Sequence, residues 1–253
     1  MLSLPEKILF IVAFVISIYV AYRIIIRISR IISRGHGKIE WATARRKIWT
    51  TIIKTVSLQP TWRIRIIPSI LHAFVAWAFI YYLLVNLIDV LEGMLTDFQF
   101  TDLIGPIGGP FKLVADILSA LALIGMFLLL IRRFVFKPSE ISTRNDVPLN
   151  PKAKLGIRRD SLIVGIFILI HVGSRFLGQS FNIALNAPDP WQPIASNVAQ
   201  LWSDISKTAL QILLHVSFWL AIGTILAFIP YFLFSRHIRD CRCIYASERL
   251  IAT

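Results

Sequence analysis

The sequence predicts an all-α integral membrane bundle of five transmembrane helices, and three observations support this. The chain of 253 residues is 56% hydrophobic, with a mean hydropathy of +0.70. Its apolar residues gather in five runs, most of which reach the ~20 residues that cross ~30 Å of hydrocarbon. Backbone polar groups in lipid must be paired internally, and these runs are too long for barrel strands, so we expect helices.

The five predicted spans belong to one membrane domain that takes in the whole chain, 1–253. The fourth span is the shortest and depends on Phe176 and Phe181 near its end. The tail, 235–253, is predicted to be cytoplasmic and is too short to bury a core of its own. We expect its two cysteines to be free thiols, because two thiolates do not complete a tetrahedral metal site. The predicted spans cover about 8–26, 67–88, 113–131, 162–178 and 210–234.

The net charge of +13 follows the predicted membrane topology. The segment Arg23–Arg65, from the end of the first span to the start of the second, holds eleven Lys or Arg and one acid, whereas the segment Asp89–Lys112 holds four acids and one lysine. Basic and non-basic connections alternate in this way along the chain, which is the positive-inside pattern. It predicts an outer N-terminus and a cytoplasmic C-terminus in the cytoplasmic (inner) membrane. Because membrane topology accounts for the basic residues, we expect no nucleic-acid partner.

The first cytoplasmic connection contains a second kind of helix. Between about residues 39 and 57, Trp and Ile recur at near-helical spacing against Arg and Lys. This pattern is typical of a basic amphipathic helix that lies at a membrane surface. Membrane lipid on the inner leaflet and a protein partner both fit it, and the sequence leaves the two open.

Four of the five histidines lie inside or at the end of apolar runs: His72, His171, His215 and His237. Ionisable side chains in a bilayer are costly, so each is a candidate functional residue. Counting ~1.5 Å of rise per residue from the span ends, His72 and His237 lie at similar depth near the inner side. His171 and His215 lie at similar depth nearer the middle. Two imidazoles at one depth can ligate a haem iron, and bis-histidine ligation leaves no open iron position, which suits electron transfer.

A simpler role is open for each of these histidines. A lone membrane histidine often hydrogen-bonds a neighbouring helix. His237, in the basic sequence SRHIR, also fits an interfacial anchor. His36 lies between glycines in RGHGK, where we expect a solvated loop.

Two further charged residues lie within the apolar runs. Asp116 enters the third span from the outer side, and Arg175 approaches the outer end of the fourth. Their similar depth favours an ion pair between them. Alternatively, Arg175 meets a haem propionate or lines a quinone pocket.

Three segments carry a family resemblance, which covers nearly all of the chain after about Gln59. The bundle, with histidines on its second and fifth helices, resembles the di-haem cytochrome b gamma subunit of respiratory nitrate reductase. The stretches Leu71–Gly93, Arg158–Phe181 and Ile229–Ile238 are also similar to the membrane part of heterodisulfide-reductase-like iron–sulfur oxidoreductases. One departure is Tyr82, which stands where the nitrate reductase pattern has a second histidine.

The resemblance implies an electron-transfer subunit of an oxidoreductase complex and not a complete enzyme. Such a subunit carries electrons through one or two b-type haems between membrane quinone and an iron–sulfur partner on the cytoplasmic side. This chain has no cysteine motif for an iron–sulfur cluster, so the partner is expected as a separate subunit or a fused domain missing here. By this resemblance His72 and His237 match haem-ligating histidines of the second and fifth helices, and His215 matches one with a shifted spacing. His171 joins them as an expected haem ligand from its depth in the membrane.

Two other functions compete with this prediction. The first is a haem-free membrane anchor that docks a redox complex, which Tyr82 and the uneven histidine spacing favour. The second is a transporter, but the spans lack the paired Gly/Pro interruptions and the inverted repeat typical of that class.

Overall fold

A computed structural model describes most of the chain. The described residues do not include His36, His237, Cys241 or Cys243. The predicted inner haem pair and the predicted free thiols therefore stay predictions. The described residues are 2–33, 41–57, 66–95, 100, 105–138 and 151–234.

Helices account for nearly all of the described residues, and no strand occurs among them. Short 3₁₀ turns lie at Gly105–Ile107 and Gln200–Trp202, and a π-helical turn lies at Arg132–Phe136. The α-helices are α1 Leu4–Ile32, α2 Trp41–Val56, α3 Ile66–Met94, α4 Gly108–Ile131, α5 Pro151–Leu185, α6 Pro193–Ala199 and α7 Lys207–Phe234.

Five of these helices are long and apolar enough to cross a membrane. By helix length and composition, the prediction of a multi-pass helical bundle is therefore confirmed. They are α1, α3, α4, α5 and α7, in the order of the predicted spans. Large apolar side chains cover their outer faces, as expected where lipid is the solvent. The side chains buried between them are mostly small, which lets helices approach closely in a bilayer.

The five long helices pack in an open arc with the order α3, α4, α5, α7 and α1. The most extensive interfaces join α5 to α7 and α3 to α4, and α1 packs against α7. At one end of the arc, the backbone N–H of Leu2 donates to the carbonyl of Gly93, which brings the start of α1 to the end of α3. We call this the outer end, after the predicted topology. Away from it, α1 and α3 share no extensive interface.

Helix α5 is longer than the predicted fourth span and runs to Leu185. Hydropathy falls in its outer half because polar side chains interrupt the apolar run. Tertiary contacts pair some of these side chains. Ser180, for example, is fully buried and accepts a hydrogen bond from the indole N–H of Trp202 at 3.0 Å. Helix α5 is therefore longer than predicted because polar side chains in its outer half are paired with other elements. A hydropathy window over one segment does not detect such pairing.

The glycine- and proline-rich segment 105–110 lies between the second and third predicted spans, but the structure places part of it in a helix. Gly105 ends the connection, and its φ of +52° is a backbone angle that favours glycine. Helix α4 then begins at Gly108 and includes Pro110 in its first turn, where a missing N–H costs nothing. A Cβ on Gly109 would lie 2.3 Å from the ring of Trp191, so this glycine lets the indole pack on the start of α4.

Candidate functional site

The candidate site is an apolar cavity of about 380 Å³ inside the arc. Its size falls within the range of about 300–1,000 Å³ that is usual for ligand pockets. Residues of all five long helices contribute to its wall, and nearly all of them are apolar. The polar side chains in the wall are Tyr82, Asn86 and His171.

His171 and Asn86 form the main polar contact of this cavity. His171, on α5, is buried, and its Nδ1 lies 2.8 Å from the carbonyl oxygen of Ala221 on α7. A carbonyl oxygen only accepts, so Nδ1 carries the proton and, in the neutral imidazole, Nε2 is the acceptor. The amide Nδ2 of Asn86, on α3, lies 3.3 Å from Nε2 and donates to it. The imidazole thus bridges α3 and α7 and has a partner at each ring nitrogen.

This arrangement leaves the amide oxygen of Asn86 unpaired. With Nδ2 facing the imidazole, Oδ1 of Asn86 is buried and has no hydrogen-bond partner among the described residues. A buried acceptor without a partner costs roughly 1–3 kcal/mol, so such groups are rare in native structures and call for an explanation. Asn86 lines the cavity, so a small movement of its amide would bring this oxygen to a ligand hydroxyl or N–H.

Aromatic rings form one side of the cavity near His171. The rings of Phe167 and Phe228 stack with centroids 3.8 Å apart and an angle of 11° between their planes. Phe167 is also nearly parallel to the imidazole of His171, and Tyr82 meets that imidazole edge-on. Flat stacked rings favour a flat ring as a ligand, by offset stacking.

The predicted ion pair between Asp116 and Arg175 is wrong. Arg175 pairs with Asp89 on α3, with Nε 2.7 Å from Oδ2 and Nη2 3.2 Å from Oδ1. The guanidinium also lies 5.5 Å from the ring centroid of Tyr82, at cation–π distance. Several residues share the same depth along the membrane, and the carboxylate that the fold brings within reach of Arg175 is that of Asp89.

Asp116 has a different role at the outer end of α4. Its carboxylate is buried and accepts hydrogen bonds from the backbone N–H groups of Ile194 and Ala195, at 2.7 and 3.1 Å. These N–H groups belong to the first turn of α6, which has no partners for them within the helix. Asp116 therefore fixes the short helix α6 on the bundle.

His215 lies apart from His171. Its Nδ1 is 2.8 Å from Oε1 of Glu6 on α1, and Trp219 donates to the same carboxylate oxygen. His215 lines a second cavity, of about 200 Å³, together with Asp89 and Arg175. His171 lines the candidate cavity described above. The structure thus brings His215 and Arg175 to one cavity but leaves His171 in another.

A bis-histidine haem site at the predicted deeper pair does not fit this geometry. Both ring nitrogens of His171 have protein partners, and His171 and His215 do not line a common cavity. For the inner pair, His72 is exposed on α3 and its Nδ1 donates to the carbonyl of Pro68 at 2.8 Å. Its predicted partner, His237, lies outside the described residues, so ligation by that pair stays a prediction.

Asn86 and Asp89 are site residues that were not predicted from the sequence. Both interrupt an apolar run, and a spacing of three residues places them on one face of a helix. Polar residues within a span are functional candidates in the same way as histidine, so this signal was available. What the sequence does not give is their partners on α5.

No protein-family model, curated protein sequence or solved structure matches this chain. The function is therefore inferred from the site itself.

Proposed function

We propose that the chain is the quinone-binding membrane subunit of an oxidoreductase complex. The observation that carries this proposal is the unpaired amide oxygen of Asn86 in the wall of an apolar cavity within the bundle. A membrane quinone combines a flat ring, two oxygens at its edge and an apolar tail. The cavity offers stacked aromatic rings, a polar amide and an apolar wall to match these parts.

The amide of Asn86 suits both redox forms of such a ring. The hydroxyl of a quinol can donate to Oδ1, which has no other partner among the described residues. The carbonyl of the oxidised quinone can accept the second N–H of Nδ2, whose first N–H goes to His171. Because the imidazole is fixed by Ala221, it holds the amide in the orientation that these contacts require.

Access from the membrane is available between α1 and α3. Phe14 on α1 and Leu83 on α3 line the cavity and are also exposed, with 45% and 65% of their surfaces accessible. The two helices share no extensive interface there. An isoprenoid tail can therefore leave the cavity towards lipid while the ring stays inside.

The electron-transfer part of the proposal comes from the family resemblance. A quinol that becomes a quinone releases two electrons and two protons, so a redox partner must accept the electrons. The partner we propose is a cytoplasmic iron–sulfur subunit or domain. A b-type haem held by His72 and His237 stays a prediction.

The substitution Asn86→Leu tests quinone binding. Leu has a similar volume but offers no hydrogen bond, and losing about 1.5 kcal/mol corresponds to roughly tenfold weaker binding. We expect this loss when a short-chain quinone analogue is titrated into purified protein in detergent, with bound analogue measured by equilibrium dialysis. Asn186→Leu is the matched control, because Asn186 is exposed and does not line the cavity. Equal affinities for wild type and Asn86→Leu would remove the proposed site.

A second candidate function is the haem-free anchor, and the geometry of His171 favours it. This imidazole connects three helices by hydrogen bonds, which is a structural role that needs no metal. A cytochrome b α band after dithionite, lost in His72→Ala, would exclude the haem-free anchor. Folded protein that shows no such band and does not bind the quinone analogue supports the anchor.

A further inference from the structure

Helix α2 differs from every other long helix in the described part of the chain. Its 16 residues span about 24 Å, which is less than the ~30 Å of a hydrocarbon core. It is not among the helices that are apolar enough to cross a membrane. It also takes part in none of the extensive helix–helix interfaces of the described structure. An apolar face on this helix is therefore not explained by the bundle.

Helix α2 has such an apolar face. Trp41, Ile48, Trp49, Ile52 and Ile53 are all exposed, and the most exposed is Trp49, at 70% of its surface. At 100° per residue, these five side chains lie within about 140° of one another around the helix. Tryptophan prefers the membrane–water interface, where its ring is apolar and its N–H meets headgroups.

The opposite face of α2 is basic. The helix contains four Lys or Arg and no acid. Lys47 and Lys54 are seven residues apart, so they lie on one side of the helix, away from the centre of the apolar face, and both are exposed. Such a cationic face complements the negative headgroups of anionic lipids.

Arg45 favours a membrane interface over a dry protein groove. Its spacing from Trp41, Ile48 and Trp49 is four, three and four residues, which places it on the apolar face. A long arginine stem can lie along acyl chains while its guanidinium reaches back to the headgroups. In a packed protein groove, the same charge would need a buried partner.

The chain also keeps α2 close to the membrane. Ser33 follows the first span and Trp41 begins α2, so at most ~3.6 Å for each of eight steps places them within about 30 Å of each other. The next span begins at Ile66, a similar distance along the chain from the end of α2. A lipid surface is thus always within reach of this helix, at a high effective concentration.

From these observations we infer that α2 is an interfacial helix that binds anionic lipid headgroups on the side of the membrane where it lies. The alternative occupant of its apolar face is a protein partner, such as the iron–sulfur subunit. The inference does not depend on the quinone site, because it concerns a different surface.

Fluorescence labelling of the full chain in nanodiscs tests this inference. In a Cys241→Ser, Cys243→Ser background, a single cysteine at Ile52 or at Thr50 carries an environment-sensitive fluorophore. These two positions lie about 160° apart on the helix, the first on the apolar face and the second on the opposite face. Nanodiscs contain phosphatidylcholine alone or mixed with phosphatidylglycerol, and spin-labelled lipid serves as the quencher.

We expect the Ile52 probe to be blue-shifted and quenched in the anionic nanodiscs, and the Thr50 probe to stay in water. Lys47→Glu with Lys54→Glu should reverse most of the shift and the quenching at Ile52. The fold of this variant is checked by its helical circular dichroism and monodispersity. A probe at Ile52 that stays in water in both lipids would overturn the inference in favour of a protein partner. Equal burial in both lipids, unchanged by the double substitution, would overturn the role of anionic headgroups.

Discussion

Arg175 on α5 and Asp89 on α3 form a two-point ion pair inside the bundle, with nitrogen–oxygen distances of 2.7 and 3.2 Å. Their side chains are 10% and 18% exposed. The pair lies one helical turn from the contact between His171 and Asn86, on the same two helices. It joins α3 to α5 directly, although neither helix is the other's main packing partner.

Removing one member of this pair should destabilise the bundle strongly. Asp89→Leu leaves the Arg175 guanidinium buried without a counter-charge, and such changes cost about 3–5 kcal/mol. Asp89→Leu combined with Arg175→Met should recover much of the loss, because no unpaired charge remains. The midpoint of thermal unfolding in detergent measures both variants. If the double variant is no more stable than the single one, the ion pair is not the cause.

Asn86→Leu should leave the stability of the bundle nearly unchanged or raise it. The substitution removes an acceptor that has no partner among the described residues, and leucine suits an apolar cavity. The substitution also leaves Nε2 of buried His171 without its donor, at a cost of about 1–3 kcal/mol, which the removal of the unpaired oxygen of Asn86 offsets. The same thermal unfolding assay measures this outcome. A fall in stability as large as that of Asp89→Leu would mean that Asn86 has a structural role and not a ligand-binding one.

Gly178→Ala should destabilise the interface of α5 and α7. A Cβ at Gly178 would lie 2.5 Å from Oγ and 3.3 Å from Cβ of Ser217 on α7, so the two helices would have to move apart. Overpacking of this kind costs about 1–3 kcal/mol.

Gly223→Ala on α7 is the matched control for this variant. Nothing lies within 4 Å of a Cβ at that position. Alanine should therefore be neutral there, or stabilising by up to about 1 kcal/mol through its higher helix propensity. Unfolding midpoints that fall equally for both glycines would contradict a specific contact at Gly178.

Asp116→Ala should release the first turn of α6. The substitution leaves the backbone N–H groups of Ile194 and Ala195 without their acceptor, at about 1–3 kcal/mol for a buried group. Hydrogen exchange followed by mass spectrometry should show faster exchange in a peptide that covers Pro193–Ala199. Peptides from α3, which does not contact this carboxylate through a hydrogen bond in the described structure, should exchange as in the wild type. Unchanged protection of α6 would contradict the assignment.

The sequence by itself determined the five membrane-spanning helices and the amphipathic helix between the first two of them. Both follow from local patterns, because run length and helical periodicity are properties of one segment. Composition also identified His171 and Arg175 as unusual, since a polar side chain in an apolar run stands out without any knowledge of its neighbours.

Only the tertiary structure decided which of these side chains meet. Depth arguments paired Arg175 with Asp116 and His171 with His215, because a helical rise gives height along the membrane and no direction around the helix. Packing supplied the direction: it turned Arg175 towards Asp89 and His171 towards Asn86 and Ala221. Two side chains meet only when they agree both in depth along the membrane and in direction around their helices. The direction is decided only when the helices pack against one another.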